Sequence, residues 1–203
     1  MLSAGEIARG VQGALGFLRR DPRALFQFDN TAEACLRSFR VMVLVAPLQA
    51  ILLMVRYSDV SVAADGMEIF VAETLSYVVE WLLFPVVFYE IARRQGWADR
   101  YPRYIGALNW VSLPGMILAV VFVPLAHLAP PAIGSLVTIG LQGLFFYWFL
   151  MVTRQILETD WLISAMLLIV SWVPLTFVSF LVARYLGITA MVAPLDASGI
   201  SLV

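Results

Sequence analysis

The sequence predicts an all-α polytopic membrane protein, a five-helix transmembrane bundle preceded by an amphipathic interfacial helix, and three observations carry that expectation. Hydrophobic residues make up 62% of the 203 positions and charged residues only 13%, against about 25% charged in soluble proteins. Five apolar stretches match a ~30 Å hydrocarbon core at ~1.5 Å per helical residue, the first, with fifteen uncharged residues between Arg40 and Arg56, only if both arginines snorkel outward. The charges are sorted by connection instead of being spread along the chain.

The chain begins with an amphipathic segment. Ile7, Val11, Ala14, Leu15 and Leu18 recur at helical spacing, with Glu6, Arg9, Gln12 and Arg19 elsewhere on the wheel. Too short and too polar to span, it is expected to lie in the membrane interface, where Arg19, Arg20 and Arg23 meet anionic headgroups. Packing against the end of the bundle is the alternative. Glu6 and Arg9 stand where a signal peptide would have an unbroken apolar core, so the segment is expected to be retained.

Asp29-Asn30-Thr31 supplies N-caps for a long helix, with Glu33 three residues beyond Asn30. This helix becomes the first span, about 38–57, whose interior holds Gln49. The second, about 69–91, carries Glu73, Tyr77 and, near its middle, Glu80. A basic loop follows, with Arg93, Arg94, Arg100 and Arg103 against Asp99. The third span, about 104–125, contains Asn109. After His127 and Pro130-Pro131 the fourth, about 132–152, contains Gln142, and the fifth, about 161–183, contains Ser171. Prolines 47, 85, 114, 124 and 174 interrupt four of the five. The organisation expected is a segment 1–30, a transmembrane domain 31–187 and a tail 188–203.

Excess Arg marks the cytoplasmic side of a membrane protein. Arginines fall before the first span and in the second and fourth connections, and the first and third have none between their boundary residues. The N-terminus is thus expected in the cytoplasm and the C-terminus outside, as in a bacterial inner membrane. Trp97, Tyr101, Tyr104, Trp148 and Trp161 read as an aromatic belt at the inner boundary, Tyr57 and Tyr185 at the outer.

The polar groups inside the spans are few and expensive. A charge at mid-membrane costs ~2.5 kcal/mol or more. Counted from the inner boundary, Glu80, Gln49, Gln142 and Ser171 lie at similar depth, and Asn109 nearer the cytoplasm. Glu80 is therefore expected to be held neutral, donating a hydrogen bond to Gln49 or Gln142. Two readings follow. Glu80 is either glue between helices, worth ~0.6–2 kcal/mol per bond, or the deepest point of a Glu73-Tyr77-Glu80 stripe that admits a proton or cation.

Other chemistry is excluded by what the chain lacks. All thirteen basic residues are Arg, so no lysine serves a Schiff base or a P-loop. One His and one Cys leave no metal cluster and no internal disulfide, and no GxSxG, HExxH or dinucleotide fingerprint occurs. No catalytic residue, cofactor or nucleic-acid partner is expected. The partners expected are the bilayer and other membrane proteins or a second copy.

The segment RYPRYIGALNW, Arg100 to Trp110, looks like a feature of uncharacterised bacterial five-helix inner-membrane proteins. The plan of five spans with a basic second loop distantly resembles the Yip family of Rab-interacting membrane proteins, although that family's Asp-Leu-Tyr-Gly-Pro element is missing. What the resemblance implies is a non-enzymatic scaffold or assembly role, with no catalytic residues to carry over. The alternative reading from the residues is a small transporter or channel subunit built around Glu80.

Overall fold

The computed structural model describes residues 2–58 and 60–190. The expected tail lies, beyond residue 190, outside the described residues. Among the described residues seven α-helices occur in order: α1 Ala4–Leu18, α2 Ala32–Ser38, α3 Val41–Tyr57, α4 Gly66–Gln95, α5 Tyr101–Leu128, α6 Pro131–Leu157 and α7 Trp161–Tyr185. A 3-10 turn, Ala24–Gln27, joins α1 to α2. Five helical units are long and apolar enough to cross a membrane, the first being Ala32–Tyr57, in which α2 and α3 follow each other across Phe39 and Arg40.

Local chemistry sets the helix ends. Thr31, not Asn30, caps α2 by accepting from the Ala34 N–H. Asp65 accepts from Met67 and Glu68 N–H while the Glu68 carboxylate accepts from the Asp65 N–H, a reciprocal cap that starts α4 three residues before the expected span. Arg93 and Arg94 occupy the last turn of α4, and Gly96 ends it at φ +74°, where a residue without Cβ meets no penalty. None of the internal prolines breaks its helix: α3, α4, α5 and α7 run continuously through Pro47, Pro85, Pro114, Pro124 and Pro174. The Tyr101 hydroxyl donates to the Pro85 carbonyl at 3.1 Å, which ties α5 to α4 beside one of these prolines.

Helix α5 is the hub, packing on α1, α2, α3 and α6 and touching α4; α7 closes the ring between α6 and α4. Packing is dense in the half of the bundle nearest the arginine-rich connections. There Phe17, Val41, Phe88, Tyr104, Ile105, Trp148 and Leu157 are all but inaccessible. The opposite half is open, and between Pro131 and Gly143 of α6 Gly134 alone is buried.

Two expected roles change here. Trp148 and Tyr104, assigned to the interfacial belt, are core residues: the Trp148 indole N–H donates to the Ala14 carbonyl at 2.8 Å, and the Tyr104 hydroxyl pairs with Thr153 Oγ1 at 2.9 Å. The apolar face of α1 is covered by protein, with Gly10, Gly13, Ala14 and Phe17 buried against α5, α6 and the 3-10 turn. Two glycines permit that approach. A Cβ on Gly10 would lie 2.1 Å from the Trp110 ring, and one on Gly13 2.7 Å from Phe28.

At the far end the backbone forms a short antiparallel pair, β1 Val60–Ser61 with β2 Thr189–Ala190. It ties the α3–α4 connection to the residues after α7. No alternating pattern in four residues announces such a pair.

Candidate intramembrane site

All five membrane-length units contribute to one open cavity of ≈ 530 Å³ between the helices. Gln49 enters from α3, Tyr77 and Glu80 from α4, Asn109 and Ser112 from α5, and Ser171 from α7; α6 supplies Phe145 and Phe149. The volume is within the range of small-molecule pockets, and so is the composition, mostly apolar with a few convergent polar groups. Five residues singled out in the sequence, Gln49, Tyr77, Glu80, Asn109 and Ser171, thus share one space, Asn109 among them although its counted depth is nearer the cytoplasm.

Gln142 does not join them. It stands on the same stripe of α6 as Phe149 but is exposed, in the stretch of α6 where Gly134 alone is buried. Depth along a helix can be counted from the sequence, whereas whether a neighbour covers a given face at that depth cannot. The hydrogen bond expected from Glu80 to Gln49 or Gln142 is likewise replaced. Glu80 Oε1 accepts from the Ser76 hydroxyl, one turn back on the same helix, at 3.2 Å. Among the described residues, Glu80 forms no ion pair.

Glu73 and Tyr77 are held differently, by α3. The Tyr57 hydroxyl donates to Glu73 Oε1 at 2.5 Å, and Arg56 lies 3.7 Å from the same oxygen. Glu73 is only 8% exposed, so this carboxylate is largely taken out of solvent, whereas the Arg56 side chain is exposed. The Tyr77 hydroxyl donates to the Met42 carbonyl at 2.6 Å, and the Tyr77 ring stands edge-on to Trp81 at 6.1 Å. The three members of the stripe therefore have separate neighbours: Glu73 an α3 ion pair, Tyr77 an α3 carbonyl, Glu80 the cavity.

Toward the arginine-rich end the cavity meets an aromatic floor. Phe84 packs on Phe149 and Tyr104 at 5.6 and 6.2 Å, and Phe88 lies beneath against Tyr104 at 4.6 Å. Beside this floor runs a polar route. Asn109 Nδ2 donates to Ser38 Oγ at 2.9 Å, and Ser38 donates to the Cys35 carbonyl at 2.6 Å. Ser38 in turn lines a second, smaller pocket of ≈ 240 Å³ between α1, α2 and α5, which also holds Glu6, Arg9, Asp29 and Arg37. One side-chain hydrogen bond, Asn109 to Ser38, stands between the two spaces.

At the rim of that pocket Arg37 and Glu6 form an ion pair joining α2 to α1. Glu6 also accepts from the Ser3 backbone N–H, and this bond, with the Ser3 hydroxyl and Arg37, holds its carboxyl below the ordinary value of 4.5.

The arginines divide into two groups. Arg19, Arg23, Arg93 and Arg94 are exposed, the last two beside Glu90. Arg20, Arg100 and Arg103 are staples: Arg20 Nε donates to the Tyr147 hydroxyl, Arg100 to the Leu157 carbonyl and Glu158, Arg103 to the Phe28 carbonyl. Sequence reasoning missed Ser38, Ser76, Ser112, Glu6 and Arg37 as members of the polar system. Ser76 was within reach of it, lying four residues before Glu80 on one helix face; Ser38 was passed over as a span boundary.

Comparison of the chain with family models, with curated proteins and with solved structures returned no match.

Proposed function

We propose that this chain is a non-enzymatic multi-pass membrane protein of the small transporter or channel-subunit kind, with Glu80 as its intramembrane proton or cation site. The observation that carries the reading is the convergence of polar side chains from four helices, Gln49, Glu80, Asn109 and Ser171, on one cavity. Glue between helices is the less favoured role for Glu80, since its hydrogen bond stays within α4. The Asn109–Ser38 link supports a route from the cavity to the pocket at the arginine-rich end. Positive charge at that end supports a cytoplasmic N-terminus and an external C-terminus in a bacterial inner membrane.

The test is Glu80→Gln, which keeps hydrogen-bonding capacity but cannot ionise. In proteoliposomes the wild-type chain is expected to dissipate an imposed proton or cation gradient and the variant to lose that flux while eluting as the same species. Equal flux from both would sink the reading.

A second reading, a scaffold or assembly factor acting through helix contacts and its basic face, is favoured by the exposed Arg19, Arg23, Arg93 and Arg94 at one end of the bundle. It predicts partners that co-purify in mild detergent and are lost when these four are replaced by Gln. Recovery of the chain alone counts against it.

A further inference from the structure

The central cavity has a neighbour on its membrane side. Along the far half of the α4–α7 seam an apolar groove of ≈ 540 Å³ opens between Ala72, Leu75 and Val79 of α4 and Val178 and Val182 of α7. Ser76 lines the groove and Glu80 the cavity, and the hydrogen bond between them joins the two walls. On α7 the step from groove to cavity is that from Val178 to Leu175, less than one helical turn.

We propose that groove and cavity together form one elongated site for a single-chain amphiphile with a cationic head, the chain lying between α4 and α7 and the head beside Glu80. This rests on the reading of Glu80 as the cation site and names the class of ligand it takes. Three features on the molecule argue for it. The groove lies between two helices long and apolar enough to cross a membrane and is lined mostly by apolar side chains, for which an acyl chain is the natural occupant. From Ala72 to Glu80 is roughly 12 Å along the helix, a distance a medium-length chain covers. The head would meet a carboxylate that no arginine pairs, Arg56 being engaged with Glu73, together with the rings of Tyr77 and Trp81, and a carboxylate with aromatic faces is the chemistry that receives an ammonium group. A cationic head favours the ionised form of Glu80 and pairs with it, whereas an anionic head opposes that ionisation and a neutral one gains no ion pair.

The experiment uses the full chain in nanodiscs of zwitterionic lipid and four probes: an alkyltrimethylammonium, the alcohol and the carboxylate of the same chain length, and tetramethylammonium. Wild type is expected to bind the alkylammonium about tenfold more tightly than the alcohol, with the carboxylate weakest. Glu80→Gln should erase that preference, whereas Ser76→Ala, which keeps the carboxylate, should retain it. Ala72→Phe, or Val178→Phe should the first variant fail to fold, fills the groove; it should weaken the chain-bearing cation and leave tetramethylammonium unchanged. Equal binding of alcohol and alkylammonium by wild type overturns the proposal, as does indifference to the groove-filling residue. Glu80-dependent binding of tetramethylammonium as tight as that of its long-chain counterpart removes the groove from the site while leaving the Glu80 cation site standing. Absence of any Glu80-dependent cation binding removes both.

Discussion

Glu73 and Glu80 sit two helical turns apart on α4, and their neighbours give them different work. Glu73 is nearly inaccessible and accepts from Tyr57 across the α3–α4 interface, with Arg56 nearby. Removing the phenol hydroxyl leaves a buried carboxylate short of a donor, a loss that costs about 1–3 kcal/mol. Tyr57→Phe is therefore expected to lower the thermal midpoint of the detergent-solubilised protein clearly, and an unchanged midpoint would show the bond to be idle. Glu6 gives a pH dependence of known sign. Its carboxyl is held below 4.5 in the folded chain, so its contribution is fully present above that value and is lost as pH falls through the lowered one. The amides of Glu6 and Ile7 should exchange faster below about pH 4.5 once intrinsic rates are corrected, and Glu6→Gln should abolish that dependence. At this scale the sequence discloses height but not direction. A count of residues put Gln49, Glu80, Ser171 and Gln142 at one depth and Asn109 nearer the cytoplasm, yet it is Asn109 that joins the cavity and Gln142 that is exposed.

Among the elements, α1 is the one whose surroundings matter most. Its helical periodicity is plain in the sequence; the structure adds its N-terminal cap, in which Ser3 and Glu6 satisfy each other's backbone N–H. An apolar stripe reads the same whether lipid or protein covers it, so its docking was not legible. The signs were the small residues Gly10 and Gly13, which become meaningful only beside Trp110 and Phe28. The cavity below α1 also depends on this contact, since Glu6, Arg9 and Gly10 form one wall of the smaller pocket. A branched side chain at Gly10 must displace the Trp110 ring, and overpacking of this kind costs about 1–3 kcal/mol. Gly10→Val is expected to undock α1 while the five long helices stay assembled. Hydrogen exchange should then rise across residues 4–18 and stay unchanged in α5; equal protection of α1 in both proteins would mean that the helix is held by something other than this close approach.

For the molecule as a whole, burial and charge are distributed along the same axis. Close packing, the aromatic floor and the staples Arg20, Arg100 and Arg103 occupy one half, and the open half ends in the β1–β2 tie. A bundle tight at one end and loose at the other can admit a ligand from the loose side without unmaking its core, which is why the direction of insertion bears on function. Arginine distribution predicts that the tight end faces the cytoplasm. The native chain is suited to testing this by thiol labelling because its one cysteine, Cys35, is buried. Gly66, at the start of α4, has open space around it, and Gln95, at the other end of the same helix, is exposed, so a cysteine at either site is sterically tolerated. A membrane-impermeant maleimide added to intact spheroplasts should label Gly66→Cys at once and Gln95→Cys only after permeabilisation. Because both positions cap a single helix, the opposite pattern would mean that the whole bundle is inverted, and labelling of both in intact cells that α4 does not cross the membrane.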